Sequence, residues 1–334
     1  MNDRQIQLSH GGGGEETNAL IHDLFYRAFG NEILEKAEDA AVLETEGPTA
    51  FTTDSFTVSP IFFGGGDIGK LAVAGTVNDL AMMGARPLYL SSAFMIEEGF
   101  AFDDLERIVE SMAAELAKSG AKIVCGDTKV VPRGGVDGLF INTAGIGRIV
   151  RPGISAQNLH EGDVLIVSRD IGRHGATILM AREGLEVSAD LSSDCETLWP
   201  AVEALIDGNI SISAMRDATR GGLSAVLNEW ALSSDVCLEI EEDAVKISDE
   251  VRGICEMFGF EATDFANEGT FVLAVAPMHA AFAVQILQRF GFSENASVIG
   301  RVTKQYPGKV VLHSSYGSRR FLDLPKGELL PRIC

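Results

Sequence analysis

Four acids stand where the sequence pattern ends a strand or opens a turn. Asp39 opens DAAVL (39–43), Asp54 closes AFTTD (50–54), Asp79 follows Asn78 within GTVNDLAMMGA (75–85), and Asp127 closes KIVCGD (122–127). A carboxylate in a low-dielectric interior is costly unless it is paired or bound to a cation. Strands that end in Asp at neighbouring edges would gather such oxygens, and hard oxygen ligands suit Mg²⁺ carrying phosphates. Asp also favours strand ends and caps for purely local reasons, and spacing alone does not choose between the two. Other segments join them. MRDATRGGL (215–223) opens a helix on a glycine pair, whose free N–H groups could receive an anion or simply start a helix. Arg216 and Arg220 add charge there, and SHGGGG (9–14) is a second run rich in backbone donors. Glu268 in NEG (267–269) is either a base or a turn acid. Cys334 ends GELLPRIC (327–334) as a thiol that is either a leftover or a covalent handle.

The elements that must position these residues follow from periodicity. Leu20, Ile21, Leu24, Phe25 and Ala28 share one face of a first helix with Thr17 as its expected cap. Asp67 caps a helix that ends at Gly84, and a helix over 102–118 stops at Gly120. Strands are expected over 50–54, 88–96, 122–127 and 138–150. Arg151-Pro152-Gly153 interrupts the rhythm. A second set follows, with strands at 162–168, 236–240, 270–276, 297–303 and 309–313 and helices near 174–184, 196–207, 222–233 and 278–290. The mixture is an α/β (α+β) layer architecture. The expected division is a Gly-rich segment and helix over 1–38, an N-terminal domain over 39–152, a C-terminal α/β domain over 153–320, and a flexible tail over 321–334 in which Pro331 limits bending near the tip.

GGGDIGK (64–70) imitates two nucleotide fingerprints and satisfies neither. A dinucleotide fold needs a strand directly before the glycines and an acid at the end of the next strand. A P-loop needs a hydroxyl after its Lys, and Leu71 follows Lys70. A glycine turn feeding the Asp67 helix is the remaining reading.

The chain has 334 residues and a formal net charge of −21, which argues against nucleic acid or anionic membrane as partners. No apolar run reaches a membrane span, and MNDRQIQLSHGGGG lacks the apolar core of a signal peptide. The five Cys form no C-x-x-C pair and the six His no pair at ligand spacing, so neither a zinc site nor a disulfide framework is expected. A reducing cytoplasm fits. Prenylation does not explain Cys334, because that signal needs three residues after its Cys.

SHGGGG, DAAVL, TTDSFTVSPIFFGGGDIGKLAVAGTVNDLAMMGARP, CGDTKVV, DIGRHG, MRDATRGGL and ANEGTF together resemble the ATP-binding superfamily of aminoimidazole ribonucleotide synthetase, selenophosphate synthetase and thiamine-monophosphate kinase. With the final PRIC, the chain is most similar to the hydrogenase maturation factors of the HypE type, over nearly its whole length. That resemblance implies two α/β domains per subunit, a homodimer whose N-terminal sheets pair into a barrel, and an ATP cleft at the sheet ends. It implies that Asp39, Asp54, Asp79 and Asp127 hold Mg²⁺ and phosphates, with Asn78 and Asp217 also at the phosphates. It casts Lys129 and Glu268 as proton-moving groups and Cys334 as the substrate carrier.

The implied reaction is dehydration of a carbamoyl group on Cys334 to a thiocyanate. A HypF-type carbamoyltransferase loads the thiol, ATP activates the carbamoyl oxygen, and the cyanide passes to iron on a HypC–HypD scaffold. Nearby carboxylate is expected to raise the Cys334 pKa and Arg332 to offset it. Two other readings stand beside this one. The first is a different ATP-using enzyme of the superfamily, of the selenophosphate synthetase or thiamine-phosphate kinase type, although residues 1–30 lack the Cys expected of the former. The second is a non-catalytic dimeric carrier that presents Cys334 to partners.

Overall fold

A computed structural model of the chain describes residues 5–12, 14–36, 40–185, 191–325, 330 and 332–334; Asp39 and Pro331 lie outside the described residues. The N-terminal half begins with helix α1 (Glu15–Leu20), which runs through a π-helical turn at Ile21–Tyr26 into α2 (Arg27–Phe29). Its N-cap is Gly14 rather than the expected Thr17, which lies one turn inside with its hydroxyl donating to the Ser9 carbonyl. Strand β1 (Thr49–Phe56) follows. Then come the two-residue strands β2 (Phe62–Phe63) and β3 (Gly66–Asp67), which form a tight hairpin. The glycines of GGGDIGK make this turn, and Asp67 caps α3 (Ile68–Met82) by accepting from the N–H groups of Gly69 and Lys70 at 2.8 and 3.0 Å. Such a cap is worth about 1 kcal/mol. Strand β4 (Ala85–Glu97), helix α4 (Phe102–Ser119), β5 (Lys122–Val131) and β6 (Leu139–Ile149) complete this half.

The first sheet has the order β1-β6-β4-β5, antiparallel except for the parallel β4–β5 pair. Along β1 the residues alternate. Ala50, Thr52, Asp54 and Phe56 turn toward the helices, while Thr49, Phe51, Thr53 and Ser55 are exposed. Helix α3 is apolar nearly all round, as a helix enclosed on every side must be. It lies close to the sheet because Gly145 has no side chain: a Cβ there would come within 2.7 Å of Thr76. That approach brings Asp79 of α3 beside Thr52 of β1.

The C-terminal half carries β7 (Val164–Val167), α5 (Arg173–Glu183), α6 (Trp199–Asp207), β8 (Ile212–Asp217), α7 (Gly222–Ser233), β9 (Cys237–Glu241), α8 (Asp249–Phe258), β10 (Phe271–Val275), α9 (Ala280–Leu287), β11 (Ser297–Thr303), β12 (Lys309–His313) and β13 (Arg319–Phe321). Its sheet has the order β13-β12-β9-β11-β7-β10-β8, with β9–β12 its parallel pair. Three of these elements are absent from the periodicity reading. Strand β8 was masked by the helix-opening reading of 215–223. Helix α8 lies between Ser248, which caps Val251, and the left-handed Gly259. Strand β13 is a three-residue edge. Strand β8 ends at Asp217, whereas Asp54 and Asp127, expected to close their strands, lie inside β1 and β5, which run on in extended pairing to Phe56 and Val131. Helix α3 packs against β8 and α6, so the cleft between the halves opens where β1, α3 and β8 meet.

Candidate active site

Asp54, Asp79, Asp217 and Glu268 come from β1, α3, the end of β8 and the loop before β10, and they converge on this cleft. Burial, then the charge of Asp79, pushes Asp54 up to about 6, while Arg220 draws it down. Burial and the charges of Asp79 and Asp54 push Asp217 up to about 7, with Arg216 opposing. Asp79 is raised by burial, moderated by the Thr52 hydroxyl, which donates to its Oδ2 at 2.6 Å, and by Arg216. Arg216 is itself paired with Glu229. Arg220 makes no ion pair among the described residues and lines the cavity beside Cys334.

Glu268 is held by its backbone, not its side chain. The Asp194 carboxylate accepts the N–H groups of Glu268 and Gly269 at 3.1 and 3.0 Å and the Thr270 hydroxyl at 2.7 Å. Gly269 is required here, since a Cβ would lie 1.7 Å from the Asp194 carbonyl oxygen. The Asn267 carboxamide is committed to the same loop, accepting from Gly172 N–H and donating to the Ala218 carbonyl. Glu268 Oε1 is buried without a partner. Burial, then the charges of Asp217, Asp194 and Asp54, hold its carboxyl far above the usual carboxylate range. A carboxyl raised in this way holds its proton more tightly than an exposed one and, once ionised, is the stronger base.

The end of the chain lies in this cleft. Cys334 accepts the Thr57 N–H at 3.0 Å through its main-chain oxygen, and Ile333 accepts from His174 Nε2 at 2.7 Å. The Arg332 carbonyl accepts from Ser59 N–H at 3.3 Å and from the Arg182 guanidinium. Ile333 is buried and packs into the core. Arg332 is paired elsewhere. Its guanidinium donates to the Thr57 carbonyl and pairs with Asp137 at 2.6 Å, so it does not supply the expected offset to Cys334. Arg220 does, while burial, Glu268 and Asp54 push the thiol up to about 12. Burying Ile333 contributes about 2 kcal/mol, and each main-chain hydrogen bond adds ~1 kcal/mol. Ordering each tail residue costs ~1–2 kcal/mol.

Asp127 and Lys129 are not in this cleft. They lie on β5, the edge opposite β1, about 14 Å from it at three strand spacings. The Lys129 ammonium binds the Asp127 carboxylate at 2.8 Å and holds its pKa below the usual carboxylate range. Both line a cavity of about 670 Å³, the size of a nucleotide site, together with Gly11, Ala41, Ser92 and Phe94. The Gly-rich segment sits directly on this edge, where a Cβ on Gly11 would strike Val130 N at 2.5 Å. Asn78, expected at the phosphates, bridges α3 to the segment before α6. It donates to the Glu196 carbonyl at 3.0 Å and accepts from Leu198 N–H at 2.7 Å. Sequence reasoning passed over His174, Arg182 and Asp194. His174 lies within DIGRHG, Arg182 and Asp194 lie in no motif, and the role of each appears only once the tail and the NEG loop are folded beside it.

The comparisons with known proteins bear on the whole chain. The N-terminal and C-terminal domains of the AIR synthase related proteins match residues 37–149 and 160–313. The carbamoyl dehydratase HypE of Escherichia coli K12 is 46% identical, covering 98% of this chain and 99% of its own. The chain belongs to the HypE carbamoyl dehydratases. A HypE crystal structure in complex with ATP superposes with a TM-score of 0.95 at 44% identity, covering 98% of this chain and 99% of that one. The HypE chain of a HypE–HypF complex superposes with a TM-score of 0.80 at 43% identity, covering 92% and 100%. Thiamine-monophosphate kinase from Stenotrophomonas maltophilia shares the fold at a TM-score of 0.66 and 20% identity, covering 90% of this chain and 96% of that one. Full-length identity favours the HypE type over the other enzymes of the superfamily.

Proposed function

We propose that this chain dehydrates an S-carbamoyl group on Cys334 to a thiocyanate, using ATP, to supply cyanide for the iron of a [NiFe]-hydrogenase. The observation that carries the reading is the docking of Cys334 beside Glu268 in the acid-lined cleft. Oxygen leaves an amide poorly. The carbamoyl oxygen therefore attacks the γ-phosphorus of ATP, ADP departs, and one N–H proton is lost. A base then takes the second N–H proton as the C–O bond breaks, leaving S–C≡N and phosphate. On this reading Glu268, in its ionised form, accepts that proton, and Arg220 faces the oxygen that accumulates charge.

Asp54 and Asp79, with Asp39 and Asp127, would hold Mg²⁺, and Asp217 borders them. Among the described residues no three such side chains form a ready-made cage. Mg²⁺ needs only one or two carboxylates when phosphates and water complete its shell. Buried acids raised to about 6 and 7 fit a cation that neutralises them. When bound, Mg²⁺ spreads the charge developing on the transferred phosphoryl group.

The ATP seat is the 670 Å³ cavity beside the Gly-rich segment, with Lys129 at the phosphates or sharing the proton transfer. A homodimer that pairs the open faces of two N-terminal sheets would bring the β5 edge of one chain to the acid cleft of the other. Exposed Phe51 on β1 suits that contact. The domain division over 39–152 and 153–320 and the arm over 321–334 follow the same plan. The arm visits a HypF-type carbamoyltransferase for loading and a HypC–HypD scaffold for delivery. No described helix is long and apolar enough to cross a membrane, and a cytoplasmic location suits the free thiols.

The deciding experiment adds ATP and Mg²⁺ to the carbamoylated chain and weighs the C-terminal peptide. Loss of one water is expected. ATP consumption with an unchanged peptide would refute the reading, as would normal hydrogenase maturation by Cys334→Ala.

A further inference from the structure

We infer that His174 is a positioning residue that sets the register of the C-terminal thiol by gripping the last peptide through its Nε2–H. This deepens the proposed reaction, but its test needs neither ATP nor a carbamoyl group.

His174 stands in the first turn of α5 and is fully buried. A carbonyl oxygen only accepts, so the 2.7 Å contact to Ile333 requires the proton on Nε2. Nδ1 is then an acceptor, and the Ser193 hydroxyl faces it at 2.8 Å. Ser193 Oγ in turn accepts the Cys195 N–H at 3.0 Å, leaving its own proton free to point at the ring. Burial favours the neutral imidazole. The imidazole and the Phe63 ring pack perpendicular to each other, with centroids 5.4 Å apart, and this restrains the plane of the imidazole. The chain Cys195 N–H to Ser193 to His174 to Ile333 therefore has one consistent direction, and its last donor is aimed at the tail.

The grip is on the main chain, one residue before the reacting sulfur. It works with Thr57 on Cys334 and with Ser59 and Arg182 on Arg332, so three consecutive carbonyls are held between two elements, the 57–59 segment after β1 and helix α5. Slipping the tail by one residue would put a side chain where His174 needs an oxygen. Ser193 is also followed by Asp194, the clamp on the Glu268 loop. The same short segment thus orients the tail holder on one side and carries the Glu268 loop on the other.

The test alkylates the intact protein with iodoacetamide and reads each cysteine peptide by mass spectrometry. In His174→Leu the alkylation rate of Cys334 is expected to rise at least tenfold while buried Cys195, beside the site, stays protected. His174→Gln, which can present an N–H near the Nε2 position, is expected to restore at least half of the protection. Three results overturn the inference: unchanged Cys334 protection in folded His174→Leu, Cys195 becoming reactive in step with Cys334, or Gln behaving like Leu. If His174→Leu does not fold, Ser193→Ala decides, because it keeps the ring and frees its tautomer. Faster labelling of Cys334 alone supports the inference, and an unchanged rate overturns it.

Discussion

Asp194 accepts the peptide N–H of Glu268 at 3.1 Å, so Glu268 is placed through its backbone while its carboxyl is left free. Replacing the side chain should therefore remove chemistry without removing structure. Glu268→Gln is expected to lower ATP-dependent water loss by about 10²-fold or more, the usual size of a general-base effect. Its melting temperature should stay at or above wild type, since a buried charge-bearing group is lost. A normal rate in Glu268→Gln would place the base elsewhere, with Lys129 the next candidate.

The clamp itself should behave in the opposite way. Asp194→Ala leaves two buried N–H groups without their acceptor and the Thr270 hydroxyl with only its longer bond to the Asp170 carbonyl at 3.3 Å. Each such loss costs about 1–3 kcal/mol. Thermal unfolding should show a marked drop in melting temperature. A stability equal to wild type would mean that the loop is held by other contacts.

The acid cluster makes the unliganded protein pH-sensitive. Asp54 and Asp217 have folded-state pKa values of about 6 and about 7, above their ordinary value of 3.8. The folded state therefore binds protons more tightly than the unfolded chain. The stability this contributes is full below about 4 and lost as pH rises through 6 and 7. Melting should fall between pH 5 and pH 8, and Asp217→Asn should melt higher than wild type at pH 8 by roughly 2–4 °C while losing activity. An Asp217→Asn protein no more stable than wild type at pH 8 would contradict the crowding of these charges.

The separation of β1 from β5 predicts complementation between chains. Asp54→Asn and Lys129→Ala should each be inactive alone. Mixed as subunits, they should recover up to about a quarter of wild-type activity, because some dimers then assemble one intact site. No recovery in a verified heterodimer would put both residues in the site of a single chain.

Docking should control the reactivity of Cys334. At about 12 its pKa lies well above the free-thiol value of 9.0, so docked Cys334 carries almost no thiolate at pH 8. Ile333→Gly removes the buried anchor and should accelerate alkylation of Cys334 by about tenfold or more. Because deprotonation opposes docking, protection should weaken as pH rises from about 9 toward 12. Equal rates in wild type and Ile333→Gly would mean that the tail spends its time outside the cleft.

Much of this arrangement was legible in the sequence, and what escaped did so for physical reasons. Asp67 announced its helix because a cap is a local event spanning three residues. Asp54 stood out as the acid closing the AFTTD pattern, although β1 runs on to Phe56, and Glu268 stood out by its place just before a strand. The order β1-β6-β4-β5 is not local, so nothing in the spacing reveals that Asp54 and Asp127 occupy opposite edges. Strand β8 was hidden because Ile212 and Ala214 alternate for only a few residues before a glycine-rich turn. His174 escaped because its partners, Ser193 and Ile333, are 19 and 159 positions away.

The cleft holds Arg332, Ile333 and Cys334 by their main-chain oxygens and, among the described residues, gives the sulfur no hydrogen bond. Such a dock is blind to cargo: a bare thiol, a carbamoyl thioester and a thiocyanate would be seated alike. An unloaded arm therefore competes with a loaded one for the same seat, and each empty chain obstructs its own active site. Order in the cycle must then be imposed from outside the dock, by the enzyme that loads the arm and by the acceptor that draws it away.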